Sequence, residues 1–380
     1  MAYREFDRER IKFYPLSERK NKVIIKRDMV TPDMEPRSLS ERTMNVIKQI
    51  ANDINTAKQS GKSVVMAFGA HTIKNGLGPL LSEFITRGWV THLATNGAGI
   101  IHDWEFAYQG ETSEDVRANV RVGKFGIWEE TGFYLNLAIN VGAYMGLGYG
   151  ESVGAMVFND GLTIPPREEL FSVIEKALKC RKNGGVGDEV FRRASAASEL
   201  LYTLEHFKID SGFMEIKHGF KEYGLQAAAF RLGVPYTAHP MFGHDIIYTH
   251  PINNGPSVGR TAERDFLVYA ASISNIEGGV YLSIGSAVMS PMIFEKSLSM
   301  AQNLAVRDGH PIRNHKIYVV DLAEYTWDWQ EKGEPPPDNP AYYLRYCKTF
   351  SRMGGRMEYV RADNRDFLLA LYRELALLIE

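Results

Sequence analysis

The chain has 380 residues, of which 44% are hydrophobic and 24% are charged, as in typical soluble globular proteins. Its formal net charge is -2, which argues against a nucleic-acid partner. Two cysteines, Cys180 and Cys347, exclude a disulfide framework and a cysteine-rich zinc site. Residues 1–10 are charged, and no apolar stretch is long enough to span a membrane. We therefore expect a soluble cytoplasmic protein without a signal peptide or a membrane partner.

The first 40 residues contain three prolines and show no sustained hydrophobic period. This pattern predicts an extended N-terminal arm over residues 1–40, with its basic run at 19–27 in solvent or against another subunit. A helix is predicted at 40–58 because apolar residues recur there at helical spacing, and Gly61 fits its C-terminal end.

Beyond residue 60, predicted strands and helices alternate. The predicted strands are 64–68, 90–94, 234–237, 280–284, 317–320 and 357–360. The predicted helices are 128–148, 167–181, 190–207, 218–232, 261–274, 290–305, 339–352 and 364–379. Glycines at 182–188 predict a loop, and four prolines at 331–340 exclude a helix interior. The alternation favours an α/β fold with a doubly wound, mostly parallel, Rossmann-like sheet, formed by one domain over residues 41–380.

The loop after the first of these strands, 69–76, combines small residues with His71, Thr72 and Lys74 just before a predicted helix. Such a loop suits an anion such as a pyrophosphate. It matches neither the P-loop nor the six-residue Rossmann fingerprint, so an ordinary turn with an exposed Lys74 remains the alternative.

A second glycine-containing turn, 96–99, follows the next strand. It lets the backbone approach a ligand closely, although a plain tight turn is equally compatible with the pattern. The glycines at 146–150 follow a long predicted helix rather than a strand, and we interpret them as a helix end.

Several histidines fall in predicted loops at strand ends. They are His71, His102, His239, His244 and His250. His239, His244 and Asp245 could ligate a metal, but their spacing matches no metal motif, so separate polar contacts are expected and no metal is predicted.

Taken together, the segments from about 66 to about 348 resemble deoxyhypusine synthase and its relatives. That family uses NAD and an active-site lysine to move an aminobutyl group from spermidine to an acceptor amine. The resemblance is carried by 69–77, by 96–99 followed by 102–103, and by 244–247. It also includes the strand ends 284–286 and 321–323 and the segment 346–348, which matches the family's Trp-Gly-Lys.

The resemblance implies specific roles for residues of this chain. The positions implied for NAD are Gly69, His71, Thr72, Lys74, Asn75, Asn96, Gly97, Ala98, Gly285, Ser286, Asp321, Leu322 and Ala323. The positions implied for the substrate are His239, Asp245, Glu324, Tyr342 and Tyr346, with Asp103 as a further carboxylate. Lys348, His244 and Asp245 are the implied catalytic residues.

The family's spermidine-binding histidine and glutamate fall near Ser290 and Tyr342, so we expect a substrate other than spermidine. In the implied reaction, Lys348 is an unprotonated nucleophile that forms a Schiff base, and burial among tyrosines would favour its neutral form. His239 or His244 would move the proton. The resemblance also implies a homotetramer in which the arm covers a neighbouring subunit, and a protein could be the acceptor.

Three other functions fit the same residues. The protein could be an NAD-dependent amine dehydrogenase that lacks the transfer step. It could be a catalytically silent nucleotide-binding protein that regulates a partner. Metal-assisted hydrolysis through the histidines is the last alternative. The sequence does not identify the amine, the acceptor, or the preference for NAD over NADP.

Overall fold

The computed structural model describes residues 3–182, 188–324 and 327–378. The strands are β1 Asn21–Ile24, β2 Val64–Phe68, β3 His92–Thr95, β4 Glu111–Glu114, β5 Gly161–Ile164, β6 Gly212–Glu215, β7 Tyr236–Ala238, β8 Val280–Ile284, β9 Lys316–Asp321 and β10 Arg356–Arg361. The α-helices are α1 Ile25–Asp28, α2 Glu41–Gln59, α3 Ala70–Lys74, α4 Gly78–Thr86, α5 Gly97–Gln109, α6 Val116–Arg121, α7 Glu129–Met145, α8 Tyr149–Phe158, α9 Arg167–Lys182, α10 Asp188–His206, α11 Leu225–Leu232, α12 Gly255–Ser274, α13 Met289–Arg307, α14 Trp329–Lys332, α15 Arg345–Ser351 and α16 Asn364–Leu377.

Six strands form a parallel sheet in the order β10-β9-β8-β2-β3-β7. The chain runs from β2 outward through β3 to β7, then returns to the other side of β2 and runs outward through β8, β9 and β10. This is the strand order of a doubly wound dinucleotide-binding fold, whose ligands lie where the order reverses. The predicted doubly wound α/β fold is confirmed, and the reversal lies between β2 and β8.

Both faces of the sheet are covered, which explains why its central strands are continuous apolar runs. On one face, Val64, Met66 and Phe68 join a core formed with α2, α4 and α16. On the other face, Val65 and Ala67 pack in a core formed with α12, α13 and α15.

The N-terminal arm is not an extended segment in solvent. Strand β1 pairs antiparallel with β4, and Tyr14 bridges to Trp128. Arg19, expected in solvent or at a subunit contact, forms a buried ion pair with Glu105 of the same chain. The described part of the arm therefore packs on its own subunit.

Six predicted strands match β2, β3 and β7–β10 to within a few residues, whereas β1, β4, β5 and β6 were not predicted. Helices α1, α3, α5, α6, α8 and α14 were also not predicted, and α3 occupies most of the predicted loop 69–76. Gly146 does end α7, in the left-handed conformation, but Gly148 then begins α8. The loop predicted at 182–188 lies largely outside the described residues. Within the described ranges, no helix is long and apolar enough to cross a membrane.

Candidate functional site

The carboxyl ends of β2 and β8 meet at the reversal of strand order, and a glycine follows each strand. The Gly69 N–H donates to the carbonyl of Ile284 at 3.1 Å. A Cβ added to Gly69 would lie 2.3 Å from the Gly285 carbonyl oxygen. Gly285 itself has a φ of 55°, in the left-handed region that favours glycine. The two glycines thus allow the strand ends to approach more closely than any side chain would permit.

Two polar residues implied for NAD are already bonded within the protein. Thr72 is buried, and its Oγ1 accepts a hydrogen bond from Asn364 Nδ2 at 3.1 Å. The Ser286 Oγ accepts from the Ser290 N–H at the start of α13. The geometry therefore gives both residues a structural role that the sequence did not indicate.

Helix α3 follows β2 and packs against α5. His71 and Asn75 are exposed there, and Lys74 is half-buried. Lys74 and His71 are close enough to His102 on α5 to lower its pKa. Lys74 therefore places positive charge on α3, which suits an anionic ligand.

The second glycine turn begins α5, a helix of 13 residues. Asn96 is its N-cap, because its side-chain oxygen accepts from the Gly99 N–H at 3.0 Å. The Ala98 N–H donates to the carboxylate of Asp245. A Cβ on Gly97 would lie 2.1 Å from Asp245 Oδ2, so only glycine leaves room for this carboxylate. The structure therefore brings Gly97, Ala98 and Asp245 together.

Asp245 is 9% exposed, and its Oδ2 has no hydrogen-bond partner among the described residues. Burial raises the pKa of Asp245 to about 7, opposed by the Ala98 hydrogen bond. The buried hydroxyls of Tyr149 and Tyr248 likewise have no partner in the described chain. Burial and then the Asp245 charge raise the pKa of Tyr248. Burial, and then the Asp245 charge, also raise the pKa of Tyr149. These three side chains interact electrostatically within the protein interior, and we call this cluster the polar pocket.

Sequence reasoning missed both tyrosines of the polar pocket. Tyr149 is the first residue of α8, within the glycine run interpreted as a helix end. Tyr248 lies three residues after Asp245, in a short 3₁₀ helix over Ile246–Thr249. Tyr149 lies far from α5 and from Asp245 along the chain. Only the fold brings it close to them, so no local sequence motif could mark it.

The two histidines expected to move a proton differ in their surroundings. Burial lowers the pKa of His239 to about 3, so this imidazole is neutral near pH 7. The expectation that it would gain and lose a proton near that pH is therefore not supported. Its Nε2 is 3.0 Å from the Thr237 hydroxyl, which also contacts His92. His244 is exposed. No group of three or more potential metal ligands occurs within the described ranges.

Lys348 lies at a different part of the sheet edge. It is on α15, between β9 and β10, and its Nζ is 3.6 Å from the ring centroid of Tyr342. Strands β2 and β8 separate β9 from β3, which leads to Gly97. This is a cation–π contact, a geometry that attracts a cation to the ring face. Tyr346, on the same helix, is half-buried.

The other residues near β9 that the resemblance implied for NAD or the substrate also form contacts within the protein. Asp321 accepts hydrogen bonds from the backbone N–H groups of Leu322 and Ala323, so these groups are already satisfied. Glu324 pairs with Arg361 at the surface. These residues do not converge with Asp245.

Asp103 binds the start of another helix. Its carboxylate accepts from the N–H groups of Leu225 and Gln226, at 2.9 and 2.7 Å, where α11 begins. Burial raises its pKa to about 6, although these hydrogen bonds lower it. Asp103 is therefore a helix cap and not part of the polar pocket.

No protein-family model and no curated protein matches the sequence. Among solved structures, the ternary complex of AgrE with ornithine and NAD+ is 17% identical over 90% of this chain, with a TM-score of 0.43. This chain covers only 34% of AgrE, about a third of its length.

Two further solved structures are similar to this chain. A conserved protein assigned to the LOR/SDH type, from Methanococcus maripaludis S2, is 13% identical over 93% of this chain and 75% of its own, with a TM-score of 0.45. A protein assigned as a deoxyhypusine synthase, from Entamoeba histolytica, is 8% identical over 89% and 90%, with a TM-score of 0.36. Likenesses at these TM-scores do not establish the family, the cofactor or the substrate of this chain.

Proposed function

We propose that this protein is an NAD-dependent enzyme that acts on an amine, with the substrate ammonium bound to Asp245. The observation that carries this proposal is the polar pocket, where a buried carboxylate oxygen and two buried tyrosine hydroxyls lack partners among the described residues. An ammonium group has three hydrogen-bond donors, and the one unpartnered carboxylate oxygen with the two phenol oxygens offers three acceptors.

The strand ends beside this pocket fit a dinucleotide. The reversal of strand order between β2 and β8 is where doubly wound sheets bind such ligands. Gly69, Gly97 and Gly285 keep side chains away from the backbone there, and Lys74 adds positive charge on α3. NAD, when bound, supplies an acceptor for a hydride from the carbon next to the amine.

Asp245 has two roles in the proposed reaction. As a carboxylate it binds and orients the ammonium. Burial raises the pKa of Asp245, which makes its carboxylate a stronger base for accepting a proton from that ammonium. The neutral amine then has a lone pair that assists loss of the hydride. The N-terminus of α5 stabilises the carboxylate form that binds the ammonium.

A transferase adds a second step, in which Lys348 takes the oxidised fragment as a Schiff base and passes it to a second amine. The sequence resemblance supports this step. The Tyr342 contact and the separation from Asp245 favour the simpler dehydrogenase. Reduction with borohydride during turnover, followed by peptide mass spectrometry, distinguishes them: a fragment attached to Lys348 supports the transferase, and NADH accumulation without it supports the dehydrogenase.

The first experiment is calorimetric titration of the purified protein with NAD+ and NADH. Micromolar binding, followed by NADH formation with a member of a panel of primary amines, supports the proposal. Asp245→Asn is expected to keep NAD+ binding and lose amine turnover, whereas Asp338→Asn, an exposed control, keeps both. Failure of the folded protein to bind either nucleotide would contradict the proposal and favour a regulatory protein.

We also propose that the protein is a homotetramer, as the sequence resemblance implies. The exposed side chains of Phe171, Leu178 and Tyr202 on α9 and α10 are compatible with a subunit contact. Light scattering at micromolar concentration is expected to give the tetramer mass, and a stable monomer would contradict it.

A further inference from the structure

A chain of hydrogen bonds holds His102 on α5, starting from a buried ion pair. Arg19 donates to both carboxylate oxygens of Glu105 at 2.7 Å, and both side chains are 2% exposed. Burial alone would raise the pKa of Glu105, but the Arg19 charge and its hydrogen bonds lower it. Glu105 is therefore ionised and can only accept hydrogen bonds.

Thr112, on β4, lies between Glu105 and His102. Its Oγ1 is 2.5 Å from Glu105 Oε2 and 2.7 Å from His102 Nδ1. Because the carboxylate only accepts, the single hydroxyl proton of Thr112 is donated to Glu105. The Thr112 oxygen must then accept from His102, so Nδ1 carries the imidazole proton. The other nitrogen, Nε2, keeps its lone pair.

The Nε2 atom of His102 has no hydrogen-bond partner among the described residues. His102 lies one helical turn after Ala98, and residues four apart share a face of an α-helix. Burial lowers its pKa to about 4, with Lys74, Arg19 and His71 lowering it and Glu105 raising it, so the imidazole is neutral at pH 7. His102 thus offers an uncharged acceptor on the part of α5 that lies near Lys74 of α3.

We infer that His102 Nε2 accepts a hydrogen bond from a hydroxyl of a phosphorylated sugar bound between α3 and α5, with Thr112 and Glu105 as positioning residues. The Lys74 ammonium favours a ligand that carries an anionic group and disfavours an ammonium donor at this position. The choice of ligand rests on the proposed function, in which a dinucleotide binds at the reversal of strand order between β2 and β8, at the end of β2 where α3 begins. The tautomer of His102 does not depend on it.

The test is nitrogen-15 NMR of the imidazoles in the full-length protein, with His102 assigned by comparison with His102→Gln. At pH 7 without ligand, we expect a protonated Nδ1 and an unprotonated Nε2. Addition of NAD+ or of ribose 5-phosphate should shift the Nε2 resonance. A protonated Nε2, or an Nε2 resonance that neither compound moves, would overturn the inference. A shift with ribose 5-phosphate alone would support it while contradicting the NAD-dependent function.

Variants of the relay distinguish positioning from simple folding. Thr112→Val removes the hydroxyl, so we expect mixed tautomers of His102 and about three- to tenfold weaker sugar binding, the value of one hydrogen bond. Thr112→Ser should restore both. Thr131→Val is the matched control, because Thr131 also donates to Glu105, at 3.1 Å, and has no hydrogen bond to His102. Equal effects of the Thr112 and Thr131 valine variants on the tautomer would overturn the positioning role.

Discussion

Gly97 and Asp245 approach so closely that any side chain at position 97 would collide with the carboxylate. The added Cβ would lie 2.1 Å from Asp245 Oδ2 and 2.6 Å from its carboxyl carbon. The first residue of α5 and the acidic residue of the polar pocket therefore form one unit, in which the glycine makes space and the Ala98 N–H orients the carboxylate.

This contact predicts the effect of Gly97→Ala. The methyl group should push Asp245 out of the polar pocket, and we expect at least a tenfold loss of amine turnover, because a small misplacement of a positioned group is costly. Gly259→Ala is the control, since Gly259 lies within α12 with nothing within 4 Å of its added Cβ. Steady-state kinetics and thermal unfolding of both variants are the measurements. Unchanged turnover in Gly97→Ala would contradict the role of Asp245.

Asp245→Asn is expected to stabilise the protein at alkaline pH. The folded-state pKa of Asp245 is about 7, above the unfolded value, so stability from this group is present at low pH and is lost as pH rises from about 4 to about 7. At pH 8 the neutral amide avoids a buried charge, and we expect a gain on the order of 2 kcal/mol in the free energy of unfolding. At pH 4 the two proteins should be equally stable.

Urea unfolding at the two pH values measures this difference. Asp338→Asn, an exposed substitution, should change neither value. A lower free energy of unfolding for Asp245→Asn than for the unsubstituted protein at pH 8 would contradict this prediction. It would show that the Asp245 carboxylate is stabilised by its surroundings.

Buried histidines should make the protein sensitive to acid. Burial lowers the folded-state pKa of His92 to about 3, below the unfolded value near 6.5. The stability contributed by its neutral form is present above about 6.5 and is lost as pH falls toward 3. The melting temperature should therefore fall less between pH 6.5 and pH 4 in His92→Gln than in the unsubstituted protein. His310→Gln, at an exposed position, should leave the loss unchanged.

Breaking the ion pair at the start of the relay should be costly. Arg19→Leu leaves the Glu105 carboxylate buried without its cation, and we expect a loss of about 3 to 5 kcal/mol in the free energy of unfolding. Arg27→Leu removes an exposed ion pair with Asp28 and should have little effect. Chemical denaturation measures both. Equal losses in the two variants would contradict the buried role of Arg19.

The central sheet was predictable because its strands are apolar on both faces. Residues 64–68 and 280–284 are buried throughout and match β2 and β8 without a shift. Strand β4 could not be predicted from hydrophobicity, since it reads Glu-Thr-Ser-Glu. Its Glu114 is nevertheless buried, where its carboxylate accepts hydrogen bonds from Trp128 and the Gly126 backbone.

Only those residues of the candidate site that belong to a local sequence motif could be predicted. Gly97 was singled out by its turn and Asp245 by the sequence resemblance. Tyr149 and the His102 relay depend on segments far apart in the sequence, which only the fold brings together. Thr112 and Arg19 have no sequence signal of function, because their importance comes from the buried carboxylate they share.

The pairing of β1 with β4 has a consequence during synthesis of the chain. Asn21 pairs with Glu114, so the first strand must wait for a partner about 90 residues later. At ribosomal rates this delay is roughly 5 to 20 s. For most of that interval Arg19 lacks Glu105, and the hydrogen-bonding edge of β1 is unprotected. A nascent chain of this protein therefore has a period in which its first segment is open to association with other polypeptides or with a chaperone.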